Sequence, residues 1–264
     1  ADNWALLGCA AGRGRGRIVT TAIEHHAVLH TCRHLQNRGF EVCLVRPDPR
    51  GWVDPEAVEA LLDDRTILVS VMHANNETGV LQPVAQIGRL ARRRGIPFHV
   101  DAVQSFGKVP VQVDQLGADL VAVSAHKLNG PKGVGALYVR RRPRVRLLPQ
   151  LDGGGQERGL RAGTLNVPGI VGLGMACELA RQELEAEALR LGALRQQLWQ
   201  GIAGSLSGVE LNGHPTARPP GPLHLSFAGV DGAELLLALP ELAVSSGSAC
   251  TSGSAEPSHV LKAI

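Results

Sequence analysis

Lys127 is the residue whose sequence surroundings point most directly to chemistry. It follows an apolar, β-branched run that ends at Ser124, and a Gly-Pro-Lys-Gly turn follows at residues 130–133. A lysine at the mouth of a buried strand loses its proton readily, because desolvation disfavours the ammonium, and the neutral amine can form a Schiff base. Only four of the 27 lysines and arginines are lysines, so arginine supplies the routine surface charge. We predict a sheltered, reactive Lys127; a solvated loop lysine is the alternative.

Other polar residues follow apolar runs that have the character of buried parallel strands. Residues 67–72 lead into an Asn-rich turn, and residues 96–101 end in Asp101. Ligands of α/β proteins bind beyond the carboxyl ends of such strands. The residues that we expect to converge there are Asn76, Asp101, Ser124, His126 and Lys127. An acid that keeps a ring nitrogen protonated, together with an imine-forming lysine, is what pyridoxal phosphate requires, so the pair predicts that cofactor.

Cys250 is the candidate nucleophile. It lies in a run of small and polar residues, 245–254, where neither bulk nor a packed core shields a thiolate. The other cysteines lie in apolar or helical patterns that indicate packing: Cys9, Cys32, Cys43 and Cys177. An odd number at irregular spacing, without a Cys-x-x-Cys pair, argues against a disulfide framework. An unreactive Cys250 is the alternative.

His26, His30 and His34 fall at i, i+4 and i+8 of a predicted helix over residues 24–34. This spacing puts imidazoles on one face, as in helical zinc sites, but no carboxylate or cysteine is paired with them. We therefore predict a solvated helix face and no metal. His25 differs, because it lies at the junction between the predicted strand and the predicted helix.

The predicted elements alternate between strands and helices, which indicates an α/β fold with a mostly parallel sheet. The predicted strands are residues 17–21, 40–45, 67–72, 96–101, 121–124 and 134–139, and the helices between them are 24–34, 54–62 and 84–93. A long amphipathic helix over 175–202 is predicted to bridge two domains, residues 1–182 and 183–264. The second domain is predicted to hold strands 209–211 and 223–227 and a helix over 233–239 capped by Asp231.

Composition excludes several classes of function. The net charge of +3 is small, and the basic clusters at 13–17, 92–94 and 140–146 have no interleaved aromatic residues to stack on bases, which argues against nucleic acid. No apolar run reaches the length of a membrane span, and no signal peptide is recognisable. We predict a cytoplasmic protein. The chain begins at Ala1-Asp2-Asn3 without methionine, so we expect it to be a portion of a longer protein.

Six segments together resemble the cysteine desulfurases of the class V aminotransferase group, within the fold-type I pyridoxal-phosphate enzymes, and most of all those of iron-sulfur cluster assembly. The segments are Ile23-Glu24-His25, Asn75-Asn76-Glu77-Thr78-Gly79, His99-Val100-Asp101-Ala102-Val103-Gln104, Ser124-Ala125-His126-Lys127, the glycine-rich loop Gln156 to Thr164, and Ser245-Ser246-Gly247-Ser248-Ala249-Cys250-Thr251-Ser252. The resemblance runs from Ala1 to Ile264. It implies the fold-type I architecture, with a large cofactor-binding domain and an incomplete small domain.

The resemblance also implies how the cofactor is held. Lys127 matches the lysine bonded to the cofactor, and Asp101 matches the acid on the pyridine nitrogen. His25 matches the imidazole stacked on the ring. Gln104 matches the amide near the phenolic oxygen, and Asn76 the residue beside it and the substrate.

Three further matches complete the implied site. Ser124 and His126 match donors to the phosphate, and Thr164 matches a phosphate contact that reaches across from a second subunit, which implies a homodimer. Cys250 matches the nucleophile. In the family's mechanism Lys127 takes the α proton of free L-cysteine, Cys250 attacks the substrate sulfur, and the products are alanine and a Cys250 persulfide. A scaffold or other sulfur-acceptor protein then receives the sulfur.

Some family features have no counterpart in this sequence. Family members carry a phosphate loop and an N-terminal arm before the part that matches Ala1, and after Ile264 an arginine for the substrate carboxylate. We therefore expect the isolated chain to bind the cofactor poorly. Two alternatives stay open: a selenocysteine lyase, which shares the cofactor site, and a non-catalytic sulfur-carrier or scaffold subunit.

Overall fold

The fold is built on a six-stranded sheet in the order β2-β1-β3-β4-β5-β6. The computed structural model describes residues 1–246 and 258–264. The strands of this sheet are β1 (Arg17–Thr21), β2 (Glu41–Val45), β3 (Thr66–Met72), β4 (Phe98–Asp101), β5 (Leu120–Ser124) and β6 (Gly135–Val139). Strands β1 to β5 pair in parallel, and β6 pairs antiparallel to β5. The predicted α/β class with a mostly parallel sheet is confirmed.

Helices connect β1 to β2, β2 to β3 and β3 to β4, as the sequence predicted, whereas β4 leads to β5 without a helix. The helices of the chain's described part are α1 (Asp2–Ala11), α2 (His26–Gln36), α3 (Pro55–Glu59), α4 (Val84–Arg93), α5 (Val167–Ser205), α6 (Gly232–Ala238) and α7 (His259–Ala263). Short 3₁₀ helices cover Ala125–Leu128 and Gln156–Gly159. Asp54 caps α3 and Asp231 caps α6, since each carboxylate accepts a hydrogen bond from a backbone N–H of the first turn.

Helices cover the sheet on both faces. Every residue of β3 is buried, which explains its unbroken apolar sequence. On one face the packing residues include Leu6 and Cys9 of α1, Val28 and Leu35 of α2, and Ile18, Leu68 and Leu120 of the strands. On the other they include Val84, Ile87 and Ala91 of α4 with Val19, Val69 and Val71. The strand ends are therefore fixed by a core on each side.

Helix α5, 39 residues long, connects this sheet to a two-stranded one formed by β7 (Val209–Leu211) and β8 (Leu225–Phe227). The two parts touch, since Leu81 N–H donates to Ala217 O at 2.8 Å. Val260 of α7 is 1% exposed and packs in the core of the large sheet. Because α5 runs without interruption through residues 182 and 183, the division into domains 1–182 and 183–264 stays a prediction.

Several element bounds differ from the predicted ones. Helix α5 begins at Val167 rather than at residue 175, because the Asn166 side chain caps it by accepting from Gly169 N at 3.1 Å. Glycines obscure the helical periodicity there. Gly172 is needed for packing, because a Cβ there would lie 2.8 Å from Pro131 Cγ. Strand β4 starts at Phe98, just after Pro97, which lacks an N–H for the ladder. Within residues 1–246 and 258–264 no helix is both long and apolar enough to cross a bilayer.

Candidate functional site

The candidate site lies where β3, β4 and β5 end at one edge of the sheet. The parallel register pairs Met72 with Asp101 and Asp101 with Ala122, so these three strands end side by side. Asn76 follows β3, Asp101 is the last residue of β4, and Ser124 is the last residue of β5. The strand ends that we expected to meet thus lie at one edge.

Asp101 is a buried acid with few partners. The residue is only 5% exposed, and its Oδ1 accepts a hydrogen bond from Val103 N–H at 2.9 Å. Burial, reinforced by the nearby charge of Asp2, raises the pKa of Asp101 to about 7. A cationic N–H placed against this carboxylate would stabilise its ionised form.

Lys127 lies in the 3₁₀ helix that follows β5. The turn ends at Asn129, which takes the left-handed conformation with φ of 60°. Lys127 is exposed, so the predicted sheltering of this lysine is wrong for this structure. The 3₁₀ helix, α5 and residues 220–222 line a cavity of about 480 Å³ that Lys127 shares with Lys108.

His25 stands at the entrance of α2 as its N-cap. Nδ1 accepts a hydrogen bond from Ala27 N–H at 3.1 Å, so the neutral ring carries its proton on Nε2. Partial burial lowers the pKa of His25, while the nearby charge of Asp2 opposes the shift and that of Lys127 adds to it. The imidazole is therefore neutral near pH 7 and suited to stacking on an aromatic ring.

Glu24, beside His25, is a buried acid to which the sequence analysis gave no role of its own. It is fully buried, and Oε1 accepts from Thr21 Oγ1 at 2.7 Å and from Met72 N–H at 2.9 Å. Its backbone oxygen lies 2.8 Å from His259 Nε2 of α7. Burial raises the pKa of Glu24 to about 8. The sequence signal that could have identified Glu24 is a carboxylate that follows Ile23 directly after a buried strand.

The loop after β3 is tied in place by Asn75. Its Oδ1 accepts from the backbone N–H groups of Glu77 and Thr78, both at 2.9 Å, and its Nδ2 donates to Ile23 O at 3.0 Å. Within the part of the chain that the structure describes, Asn76 Oδ1 and both carboxylate oxygens of Glu77 are buried without a hydrogen-bond partner. Such polar atoms are costly unless a ligand or another group satisfies them.

The remaining candidates differ in how closely they join the site. Ser124 Oγ lies 2.9 Å from His126 Nδ1, which links the two proposed phosphate donors. Gln104 Oε1 accepts a hydrogen bond from Lys108 Nζ at 3.2 Å. Thr164 is exposed in the loop before α5 and bonds to none of the other candidates among residues 1–246 and 258–264. Its role stays a prediction.

Cys250 lies outside the described residues, so its predicted role is untested. The residues that follow the undescribed segment form α7, which packs through Val260 and meets Glu24 through His259. Helix α7, which follows Cys250 closely in the sequence, is thereby held beside Glu24 and His25.

The histidine face of α2 contacts α7 instead of being wholly solvated. The ring centroid of His26 lies 4.8 Å from that of His30 and 4.6 Å from that of His259. Among residues 1–246 and 258–264, no three His, Cys, Asp or Glu residues are placed to hold a metal ion.

The site's donor set suits a phosphorylated aromatic aldehyde with a ring nitrogen. Lys127 offers an amine for the aldehyde, and Asp101 a buried carboxyl for the nitrogen. His25 offers a neutral ring for stacking, and Ser124 with His126 donors for the phosphate. The unsatisfied Asn76 Oδ1 is consistent with a polar ligand in this place.

Comparisons with known proteins agree on one family. The model of the class-V aminotransferase family matches residues 2–264. The cysteine desulfurase IscS of Anaeromyxobacter dehalogenans is 55% identical over 267 residues, which cover 100% of this chain and 66% of that protein. The corresponding protein of Aeromonas hydrophila is 54% identical with the same coverage. The chain thus spans about 66% of the length of these curated relatives.

Solved structures show the same likeness. A NifS-like protein superposes with a TM-score of 0.90 at 40% identity, covering 99% of this chain and 69% of the other. A structure of SspA in complex with cysteine superposes with a TM-score of 0.86 at 38% identity, covering 99% and 73%. These likenesses confirm the fold class predicted from the sequence.

Proposed function

Because this chain belongs to the class-V aminotransferase family, we propose that it carries the active site of a cysteine desulfurase. Free L-cysteine would give up its sulfur to Cys250, leaving L-alanine and a persulfide on the protein. The observation that supports the proposal is the position of Asp101 at the end of β4 and of Lys127 in the turn directly after the neighbouring strand β5, with His25 close enough to feel the charge of Lys127. The 55% identity to a protein named as this enzyme adds support.

The cofactor of the proposed reaction is pyridoxal phosphate. When bound, it withdraws electrons from the substrate's α-carbon and so stabilises the charge left when a proton departs. Lys127 would hold its aldehyde carbon and Asp101 its ring nitrogen, while His25 would cover one face of the ring. Gln104 and Asn76 would face the phenolic oxygen. Ser124, His126 and the partner subunit's Thr164 would contact the phosphate.

The protein's own groups would move the protons and the sulfur. Freed by the incoming substrate, the Lys127 amine would take the proton from the substrate's α-carbon. His25, a neutral base, would take the proton of the Cys250 thiol, and the thiolate would attack the substrate sulfur, forming an S–S bond as the C–S bond breaks with its electron pair left on carbon. His25 would deliver its proton to that carbon, which becomes the methyl group of alanine, and Lys127 would return the α proton. One cysteine and one protein thiol thus give one alanine and one persulfide.

We further propose that the protein is a cytoplasmic homodimer. It would pass sulfur to an iron-sulfur scaffold or another acceptor protein. Free thiols at Cys9, Cys32, Cys43 and Cys177 suit a reducing compartment. Exposed apolar residues on the first half of α5, among them Val167 at 60% and Val171 at 65%, suit an interface.

Two substitutions test the proposal. We expect Lys127→Ala to abolish the visible absorbance of added pyridoxal phosphate, and Cys250→Ser to keep that absorbance but lose sulfide release from cysteine. Lys132→Ala, in the turn just after Lys127, is the matched control and should retain both. A Cys250→Ser protein that releases sulfide at the parent rate would contradict the assigned nucleophile. Turnover of selenocysteine in preference to cysteine would favour a selenocysteine lyase instead.

A further inference from the structure

Lys108 is a second lysine in the cavity of Lys127, and the sequence analysis gave it no role. It lies in the turn after β4 and is half-buried. The cavity that it shares with Lys127 lies between the 3₁₀ helix and α5. Since the chain has only four lysines, two in one cavity is a marked concentration.

The Lys108 ammonium has one polar partner, the amide of Gln104. Nζ donates to Gln104 Oε1 at 3.2 Å. No carboxylate lies within ion-pair distance of Lys108 in residues 1–246 and 258–264, although Glu183 and Glu187 of α5 line the same cavity. Burial lowers the pKa of Lys108, and the positive charge of Lys127 lowers it further. A half-buried cation without an acid partner suits a cavity that receives an anion.

The contact fixes which end of the Gln104 amide is free. An amide has an accepting oxygen and a donating nitrogen, whereas an ammonium group can only donate. Turning the amide around would set its N–H groups against the ammonium. Gln104 therefore keeps Oε1 toward Lys108 and presents the N–H of Nε2 to any ligand beside it.

The backbone fixes the position of Lys108 relative to Lys127. Gly107, next to Lys108, has φ of +74°, and a Cβ there would lie 2.4 Å from Leu128 Cδ2 of the 3₁₀ helix. Lys108 N–H and Val109 N–H both donate to Ser105 O at 3.0 Å. The turn that carries Gln104 and Lys108 thus packs directly on the helix that carries Lys127.

We propose that Lys108 is a positioning residue for the cofactor: it orients Gln104 to donate to a ligand oxyanion and adds a positive charge beside Lys127. The ligand group is the phenolic oxygen of pyridoxal phosphate, so the inference rests on the proposed function. Lys108 touches Gln104 and acts through it.

The test compares Lys108→Met, which removes the charge, with Lys108→Arg, which keeps it. We expect Lys108→Met to weaken pyridoxal phosphate binding roughly tenfold, the ratio that loss of a charge-assisted hydrogen bond gives. The pH midpoint of the bound cofactor's visible absorbance should rise, because removal of a cation makes loss of a proton harder. Lys108→Arg should restore much of both values. Lys127, Glu183 and Glu187 line the same cavity as Lys108, so all variants keep these three residues.

Gln104→Ala supplies the background that tests action through the amide. In that background Lys108→Met should weaken cofactor binding little further, because the amide that Lys108 orients is already absent. An equal loss of affinity in both backgrounds would overturn the positioning role, as would parent affinity and midpoint in Lys108→Met. Lys108→Gln replaces Lys108→Met if the latter fails to fold, as judged by thermal unfolding.

The outcomes separate the two proposals. If the parent binds the cofactor and Lys127→Ala loses its absorbance while Lys108→Met is unchanged, only the inference about Lys108 is wrong. If the full-length protein gives no cofactor absorbance, the proposed function is wrong, and the role of Lys108 falls with it.

Discussion

Burial sets the protonation of the acids at the strand ends. Glu24 and Asp101 are buried, and their pKa values rise to about 8 and about 7 because desolvation penalises the charged form. The hydrogen bonds that Glu24 accepts from Thr21 and Met72 oppose this effect but do not outweigh it. The site in the cofactor-free chain therefore holds protons that exposed carboxyls would have lost.

Glu24→Gln tests whether burial keeps Glu24 protonated in the folded chain. The folded pKa of about 8 lies above the ordinary 4.5, so the folded chain keeps a proton that the unfolded chain loses. The stabilising contribution is complete below pH 4.5 and is lost as the pH rises to about 8. Glutamine imitates the protonated acid. The parent's free energy of unfolding should fall over this range by on the order of 5 kcal/mol more than that of Glu24→Gln.

Urea unfolding at several pH values measures the difference. Glu56→Gln, at an exposed position of α3, is the control and should keep the pH dependence of the parent. If the parent and Glu24→Gln have parallel pH profiles, Glu24 does not hold a proton in the folded state.

At the scale of elements, close approach of helix to loop positions the strand ends. Gly88 of α4 has no room for a side chain, since a Cβ there would lie 2.3 Å from the carbonyl oxygen of Leu116. Helix α4 can therefore lie tightly against the loop before β5. Gly192 of α5 has no heavy atom within 4 Å of its would-be Cβ.

These two glycines form a matched pair of predictions. Gly88→Ala should destabilise the protein by about 1–3 kcal/mol, because the cost of overpacking exceeds the helix propensity gained. Gly192→Ala should stabilise it by roughly 0.5–1 kcal/mol, because only the propensity term remains. Thermal or urea unfolding gives both values. A Gly88→Ala protein as stable as Gly192→Ala would refute the close contact.

At the scale of the whole molecule, α5 presents apolar side chains that residues 1–246 and 258–264 leave exposed. Val171 is 65% exposed and Met175 is 60% exposed, both on its first half. Thr164, expected to act on a second subunit, lies just before this helix. The homodimer proposed above would bury this region.

Sedimentation of matched variants tests the dimer. The parent should sediment as a dimer, and Val171→Glu should shift it toward monomer, because a buried unpaired charge is costly at an interface. Leu189→Glu, 72% exposed farther along α5, should leave the dimer intact. A monomeric parent would contradict the homodimer and the proposed role of Thr164.

The sequence by itself determined the local elements and their order. Strand β1 and helix α4 have the predicted bounds, because apolar periodicity is encoded within each segment, and Asp54 and Asp231 cap their helices through neighbours in sequence. Polar residues after apolar strands also located the candidate site.

Only the tertiary structure decided the burial and partners of the side chains there. Glu24 is buried by contacts with Met72 and His259, which lie 48 and 235 residues away along the chain. Lys127 is exposed although it lines a cavity beside α5, and Lys108 lines the same cavity because its turn packs on Leu128. Desolvation depends on everything that surrounds a group in space, and local sequence patterns do not encode those distant neighbours.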